Sequence, residues 1–77
     1  MDEAARQARL EEAAALCDAA AAELEQAAAH ARRAGEHFRA GEVPRATAHA
    51  WATLGHVRAA EDGLLRQARE HRERASV

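Results

Sequence analysis

The first half of the chain repeats its small and apolar side chains every seven residues. Residues 2–40 contain no proline, and their apolar positions form two rows that are three and four residues apart. This spacing is typical of a helix that packs lengthwise against another helix. The first row is Leu10, Cys17, Leu24, Ala31 and Phe38, and the second row is Ala13, Ala20, Ala27 and Ala34.

A short break follows this helical segment. Gly41 suits the left-handed backbone that commonly follows a helix, and Pro44 suits the first turn of the next helix. We therefore predict one helix over about residues 2–40, a turn over residues 41–43 and a second helix over about residues 44–74. Because the connection is so short, the two helices must fold back on each other as an antiparallel hairpin.

The apolar pattern of the second helix is less regular than that of the first. Glu61 interrupts it, and Gly55 and Gly63 each cost about 1 kcal/mol relative to alanine inside a helix. The packing row that we predict there is Val43, Thr47, Ala50, Leu54, Val57, Glu61, Leu64 and Ala68.

Alanine dominates the composition, with 24 of the 77 residues. Alanine favours helix but covers little apolar area, so two helices cannot shield the larger side chains by themselves. We therefore expect an all-α chain, an alanine-rich antiparallel coiled-coil hairpin that dimerises into a four-helix bundle. The residues predicted at the interface are Leu10, Leu16, Leu24, Phe38, Trp51, Leu54, Val57, Leu64 and Leu65.

The net charge and the single cysteine further narrow the class of protein to which this chain could belong. The net charge of −2 argues against nucleic acid as a partner, and the single cysteine excludes a disulfide within one chain. Cys17 lies in a packing row, so we expect a buried and inert thiol. No stretch resembles a signal peptide or a membrane span, from which we expect a cytoplasmic protein that does not contact membranes.

Four histidines form the one pattern that suggests chemistry. His30 and His37 are seven residues apart in the first helix, as are His49 and His56 in the second. Folding at the predicted turn pairs His37 with His49 and His30 with His56, on one flank of the hairpin. Residues 27–42 also align on residues 46–61 with a constant shift of 19, which repeats both histidines. Glu23 and Glu70 continue the two stripes.

Imidazoles on facing helices can bind zinc, copper, nickel or iron. The usual metal-site spacings, such as His-Glu-x-x-His, are missing, so the favoured interpretation is a polar interface or a solvated flank. A pH-sensitive interface is a third possibility, since histidine titrates near neutral pH. We therefore expect no cofactor, unless His30, His37, His49 and His56 bind a transition metal.

The leading hypothesis for function is a small interaction or assembly module. It would act through a second copy, as a homodimer, or through a helix of another protein. We expect no enzymatic activity, because the sequence lacks a glycine-rich loop and paired catalytic acids. The alternatives are a metal-binding helical bundle that uses the histidine flank and, less favoured, a dimeric hairpin that binds nucleic acid.

Overall fold

The computed structural model describes residues 2–75, which form two helices. Helix α1 is Glu3–Arg39 and helix α2 is Val43–Ala75, and the two pack along their length as a hairpin. The predicted all-helical hairpin is thereby confirmed. Three residues, 40–42, connect the helices.

The start of α1 is capped by an acidic side chain. The carboxylate Oδ1 of Asp2 accepts a hydrogen bond of 2.7 Å from the backbone N–H of Ala5. This bond satisfies one of the four N–H groups that have no partner within the helix. The negative charge also complements the positive end of the helix dipole.

The end of α1 is closed by a Schellman motif. Gly41 has a φ of 77°, and its N–H donates to the carbonyl oxygen of Phe38 at 3.0 Å. The N–H of Glu42 reaches back to the carbonyl oxygen of His37 at 2.8 Å. These two bonds satisfy carbonyls at the helix end and reverse the chain, as glycine after a helix predicts.

The contact between the helices is a seam of alanine side chains. Among residues 2–73, every buried side chain is an alanine, and Ala46 and Ala60 are almost completely covered. Side chains of this size allow the two helix axes to approach at the close end of the usual 8–10 Å range. The buried residues are Ala20, Ala27 and Ala34 on α1 and Ala46 and Ala60 on α2.

The packing row predicted for the second helix does not form the seam. Leu54 and Glu61 are exposed, whereas Ala46, the half-buried Thr53 and Ala60 face α1. The row that faces α1 has small side chains, Ala46, Thr53 and Ala60, because small side chains allow a close contact between helices. The interruption at Glu61 is thereby explained, because that residue lies outside the contact.

The hairpin is a rod without an enclosed interior. Its Cα atoms extend over 59 × 20 × 11 Å, and its radius of gyration is 17.6 Å. A compact chain of this length would have a radius of gyration of about 11–12 Å. Over residues 2–75, neither helix has an apolar stretch that could cross a lipid bilayer.

Replacement by alanine should have opposite effects on stability at the turn glycine and at a helical glycine. A Cβ at either Gly41 or Gly55 meets no atom within 4 Å, so only the backbone conformation differs. Gly41→Ala should lower the free energy of unfolding by about 1–2 kcal/mol, because an L side chain disfavours positive φ. Gly55→Ala should raise it by up to about 1 kcal/mol. Urea unfolding followed by circular dichroism measures both changes. Stabilisation by Gly41→Ala would contradict the positive φ of Gly41 in the turn.

Enlarging a seam alanine should destabilise the hairpin. Ala27→Leu adds three carbons where α2 leaves no room, and we expect a loss of about 1–3 kcal/mol in the free energy of unfolding. Ala22→Leu, at an exposed position of the same helix, is the matched control and should change it little. Equal effects of the two substitutions in urea unfolding would show that the seam does not lie at Ala27.

Candidate functional site

The alanine seam divides the hairpin into two chemically different sides. On both helices, the residues three positions after a seam residue lie on one side of it, and those four positions after lie on the other. The first set is mainly polar and the second is mainly apolar. The first includes Glu23, His30, His37, His49 and His56, and the second includes Cys17, Leu24, Phe38, Val57 and Leu64.

The polar side has two histidines from opposite helices at its centre. The Nδ1 atoms of His30 and His49 lie 2.9 Å apart, a hydrogen-bond distance. Because both atoms are imidazole nitrogens, one must carry a hydrogen and the other must accept it. Both rings are half-buried against the seam.

Two further histidine rings stack on this central pair. His37 stacks on His49 with ring centroids 5.3 Å apart and an interplanar angle of 12°. His56 stacks on His30 at 5.3 Å and 13°. The two pairings that the sequence predicts are therefore present, and the contact between His30 and His49 links them.

Carboxylates lie at both ends of the histidine row. Oε2 of Glu23 lies 2.6 Å from Nδ1 of His56, and Oε2 of Glu42 lies 3.7 Å from Nδ1 of His37. The Schellman motif places Glu42 beside His37, since its backbone bond joins the same two residues. We call the continuous row the imidazole ladder, which consists in spatial order of Glu23, His56, His30, His49, His37 and Glu42.

The imidazole ladder has an approximate twofold symmetry. A shift of 19 residues converts Glu23, His30 and His37 into Glu42, His49 and His56. The same shift exchanges the two stacked pairs and exchanges the two carboxylate contacts. The axis passes through the central pair of histidines. The internal sequence similarity therefore has a structural counterpart, because both helices present the same side chains to each other.

The electrostatic environment of His49 disfavours its charged form. Burial lowers the pKa of His49 below its ordinary value of 6.5, and the neighbouring His30, His37 and Arg33 lower it further. The folded chain therefore favours the neutral form of the His49 imidazole. A neutral ring is consistent with its short contact to the second imidazole, which requires one free lone pair.

The arrangement of the four histidines bears on whether they can bind one metal ion together. Within residues 2–75, no group of three or more histidine, cysteine, aspartate or glutamate side chains is arranged to hold a metal ion. The four histidines form a row rather than a shell around one point. Binding of a metal by His30, His37, His49 and His56 together therefore stays a prediction.

The other side of the seam exposes most of the large apolar side chains. Trp51 is 72% exposed and Phe38 is 52% exposed. We call this surface the apolar face, and it comprises Leu10, Leu24, Phe38, Val43, Leu54, Val57, Leu64 and Leu65, with Trp51 at its outer edge, five positions after Ala46. Eight of the nine residues predicted at an interface belong to it, and Val43 completes it.

An open groove lies near mid-length on the apolar face. It has a volume of about 390 Å³, and Ala60 forms its floor at the seam. Leucine and valine side chains from both helices form its walls. The residues that line it are Leu24, Val57, Ala60, Glu61, Leu64 and Leu65.

The structure places three further residues, Cys17, Leu16 and Glu70, outside the surroundings that the sequence predicts for them. Cys17 is exposed rather than buried, because the seam is too narrow to cover its row. Leu16 is half-buried on the polar side, where it lines a second groove with Glu70 and Arg66. Glu70 forms an ion pair with Arg66 at 3.3 Å and is not part of the imidazole ladder.

No protein family, curated protein or solved structure matches this chain. Its function is therefore inferred from its own residues.

Acid should destabilise the hairpin through His49. Its pKa is lower in the folded chain than the ordinary value of 6.5, so the unfolded chain binds more protons between the two values. The stabilisation from neutral His49 is therefore complete above about pH 6.5 and is lost as the pH falls through the folded pKa. Urea midpoints measured from pH 7.5 to pH 5 should decrease, and they should decrease less in His49→Gln.

His71→Gln is the matched control for this experiment, because His71 is exposed and lies outside the imidazole ladder. It should show the same pH dependence as the unmodified chain. If His49→Gln also shows the same pH dependence as the unmodified chain, protonation of His49 is not coupled to folding.

Proposed function

We propose that this chain is a helical assembly module that pairs with a second copy of itself through the apolar face. The two hairpins would form an antiparallel four-helix bundle. The observation that carries the proposal is the exposure of nine large apolar side chains, at 41–72%, on a hairpin whose buried residues are all alanine. Each such side chain contributes about 1.5–3 kcal/mol when it passes from exposed to fully buried.

The size of the apolar face supports a stable interface. Monomeric proteins rarely expose a contiguous apolar patch of more than a few hundred Å². One broad side of the rod, 59 × 20 Å between Cα atoms, has room for the roughly 800 Å² per partner that a standard interface buries. The face is also continuous, because both helices contribute to it on the same side of the seam.

The position of the groove favours a symmetric partner. Leu24 lies near the middle of α1, so a twofold axis through the groove would bring equivalent leucines of two copies together. An isologous contact of this kind needs one self-complementary patch. Leucines between two grooves would then pack as knobs into holes.

The charge distribution favours the antiparallel orientation of the two copies. The half of the hairpin nearer the turn, residues 23–58, has five arginines and four carboxylates, a net charge of +1. The open half, residues 2–22 and 59–75, has six arginines and nine carboxylates, a net charge of −3. An antiparallel pair places each turn half against the partner's open half. Complementary charge of this kind selects orientation more than it adds affinity.

A charge on the apolar face should dissociate the pair. We expect the unmodified chain to sediment at twice its mass of 8.3 kDa. Leu64→Glu introduces two carboxylates into an apolar contact, one from each copy. Dimer affinity should fall at least 100-fold, which corresponds to about 3 kcal/mol. Sedimentation equilibrium measures the change.

Ala59→Glu is the matched control, because it adds the same charge at an exposed position of the same helix outside the apolar face. It should leave the dimer intact. A monomeric unmodified chain at 100 µM would exclude self-association as the function, and equal dissociation by both variants would exclude this face.

A further inference from the structure

We propose that His30 and His49 together bind one copper(II) ion at the centre of the imidazole ladder. This site lies on the opposite side of the seam from the apolar face, and it requires neither a second copy nor a partner. Each helix provides one ligand. The ion would therefore cross-link α1 and α2 at the point where the approximate twofold axis passes between them.

The two nitrogens are close enough to bind one ion together. A metal about 2.0 Å from each of two nitrogens 2.9 Å apart would have an N–metal–N angle of about 90°. That angle is compatible with neighbouring positions of a tetragonal complex, a geometry typical of copper(II). Copper(II) also forms the strongest complexes among divalent first-row metals.

The two ligands are held in place before any ion arrives. His37 packs flat on the His49 ring, and His56 packs flat on the His30 ring. Glu23 contacts the outer ring of His56 at 2.6 Å, and Glu42 lies 3.7 Å from the outer ring of His37. These carboxylates do not contact the two proposed ligands, but they place negative charge near the ion.

Metal binding would make the two central Nδ1 atoms equivalent, because both would act as ligands. Without a metal, one Nδ1 must carry a hydrogen and the other must accept it. When the donor ring moves its hydrogen to Nε2, both Nδ1 lone pairs become available and the number of bound protons does not change.

The remaining coordination positions are open to water. Both central rings are half-buried, so one edge of the pair reaches solvent. The two imidazoles would be the only protein ligands, because no group of three or more such side chains among residues 2–75 is arranged to hold an ion. An open site of this kind binds copper reversibly and leaves positions for a small exchangeable ligand.

Titration of the untagged full-length chain with copper(II) at pH 7.5 tests the proposal. Electron paramagnetic resonance should show one tetragonal copper per chain, with hyperfine splitting from two imidazole nitrogens. His30→Ala and His49→Ala should each weaken binding at least tenfold. The exposed His71→Ala is the matched control and should leave the affinity unchanged. The melting temperature of the unmodified chain should also rise with copper concentration.

A second measurement avoids variants that fail to fold. In proton NMR of the unmodified chain, substoichiometric copper should broaden the ring signals of His30 and His49 before that of His71. Broadening centred on His71 or the amino terminus would overturn the proposal. Copper affinity unchanged in folded His30→Ala or His49→Ala would also overturn it, as would a spectrum without two nitrogen ligands.

Discussion

The close approach of two helices along a row of alanines determines the rest of this structure. Small side chains fill this contact, and its buried residues, Ala20, Ala27, Ala34, Ala46 and Ala60, are all alanine. Every larger side chain must then lie to one side of the contact. The hairpin consequently acquires two unlike surfaces, an imidazole ladder and an apolar face.

The close approach of the two helices also explains why the side chains of the imidazole ladder lie in one continuous row. Residues three positions after a seam alanine meet their counterparts from the other helix at short range, because the axes are close. His30 therefore contacts both His49 and His56, with ring centroids 5.2 and 5.3 Å away. Wider spacing, with leucines in the seam, would separate these rings. The repeat at a shift of 19 residues then makes the row approximately symmetric.

Much of the fold follows from local signals. Gly41 and Pro44 indicate the turn, and the absence of proline before them predicts a long first helix. The histidine pairs follow from the position of the turn, since the register of a short hairpin is set by its connection. The contact between His30 and His49 does not follow from pairing alone, because it depends on how far each ring reaches across the seam.

Other features could not be predicted from periodicity. A spacing of three and four residues identifies two adjacent rows but does not tell which one lies at the centre of the contact. In α1 the leucine row and the alanine row fit the pattern equally, and the structure buries the alanines. That choice depends on tertiary packing, and it reverses the expected environment of Cys17. Glu42 was missed as an end of the ladder because its place depends on the helix cap.

Nuclear Overhauser effects between alanine methyl groups test the central claim most directly. In the chain with alanine methyls labelled, we expect cross-peaks between the buried alanines of α1 and those of α2, including Ala27 with Ala60. Alanine methyls that show contacts only within their own helix would contradict the alanine seam, and with it the separation of the two surfaces.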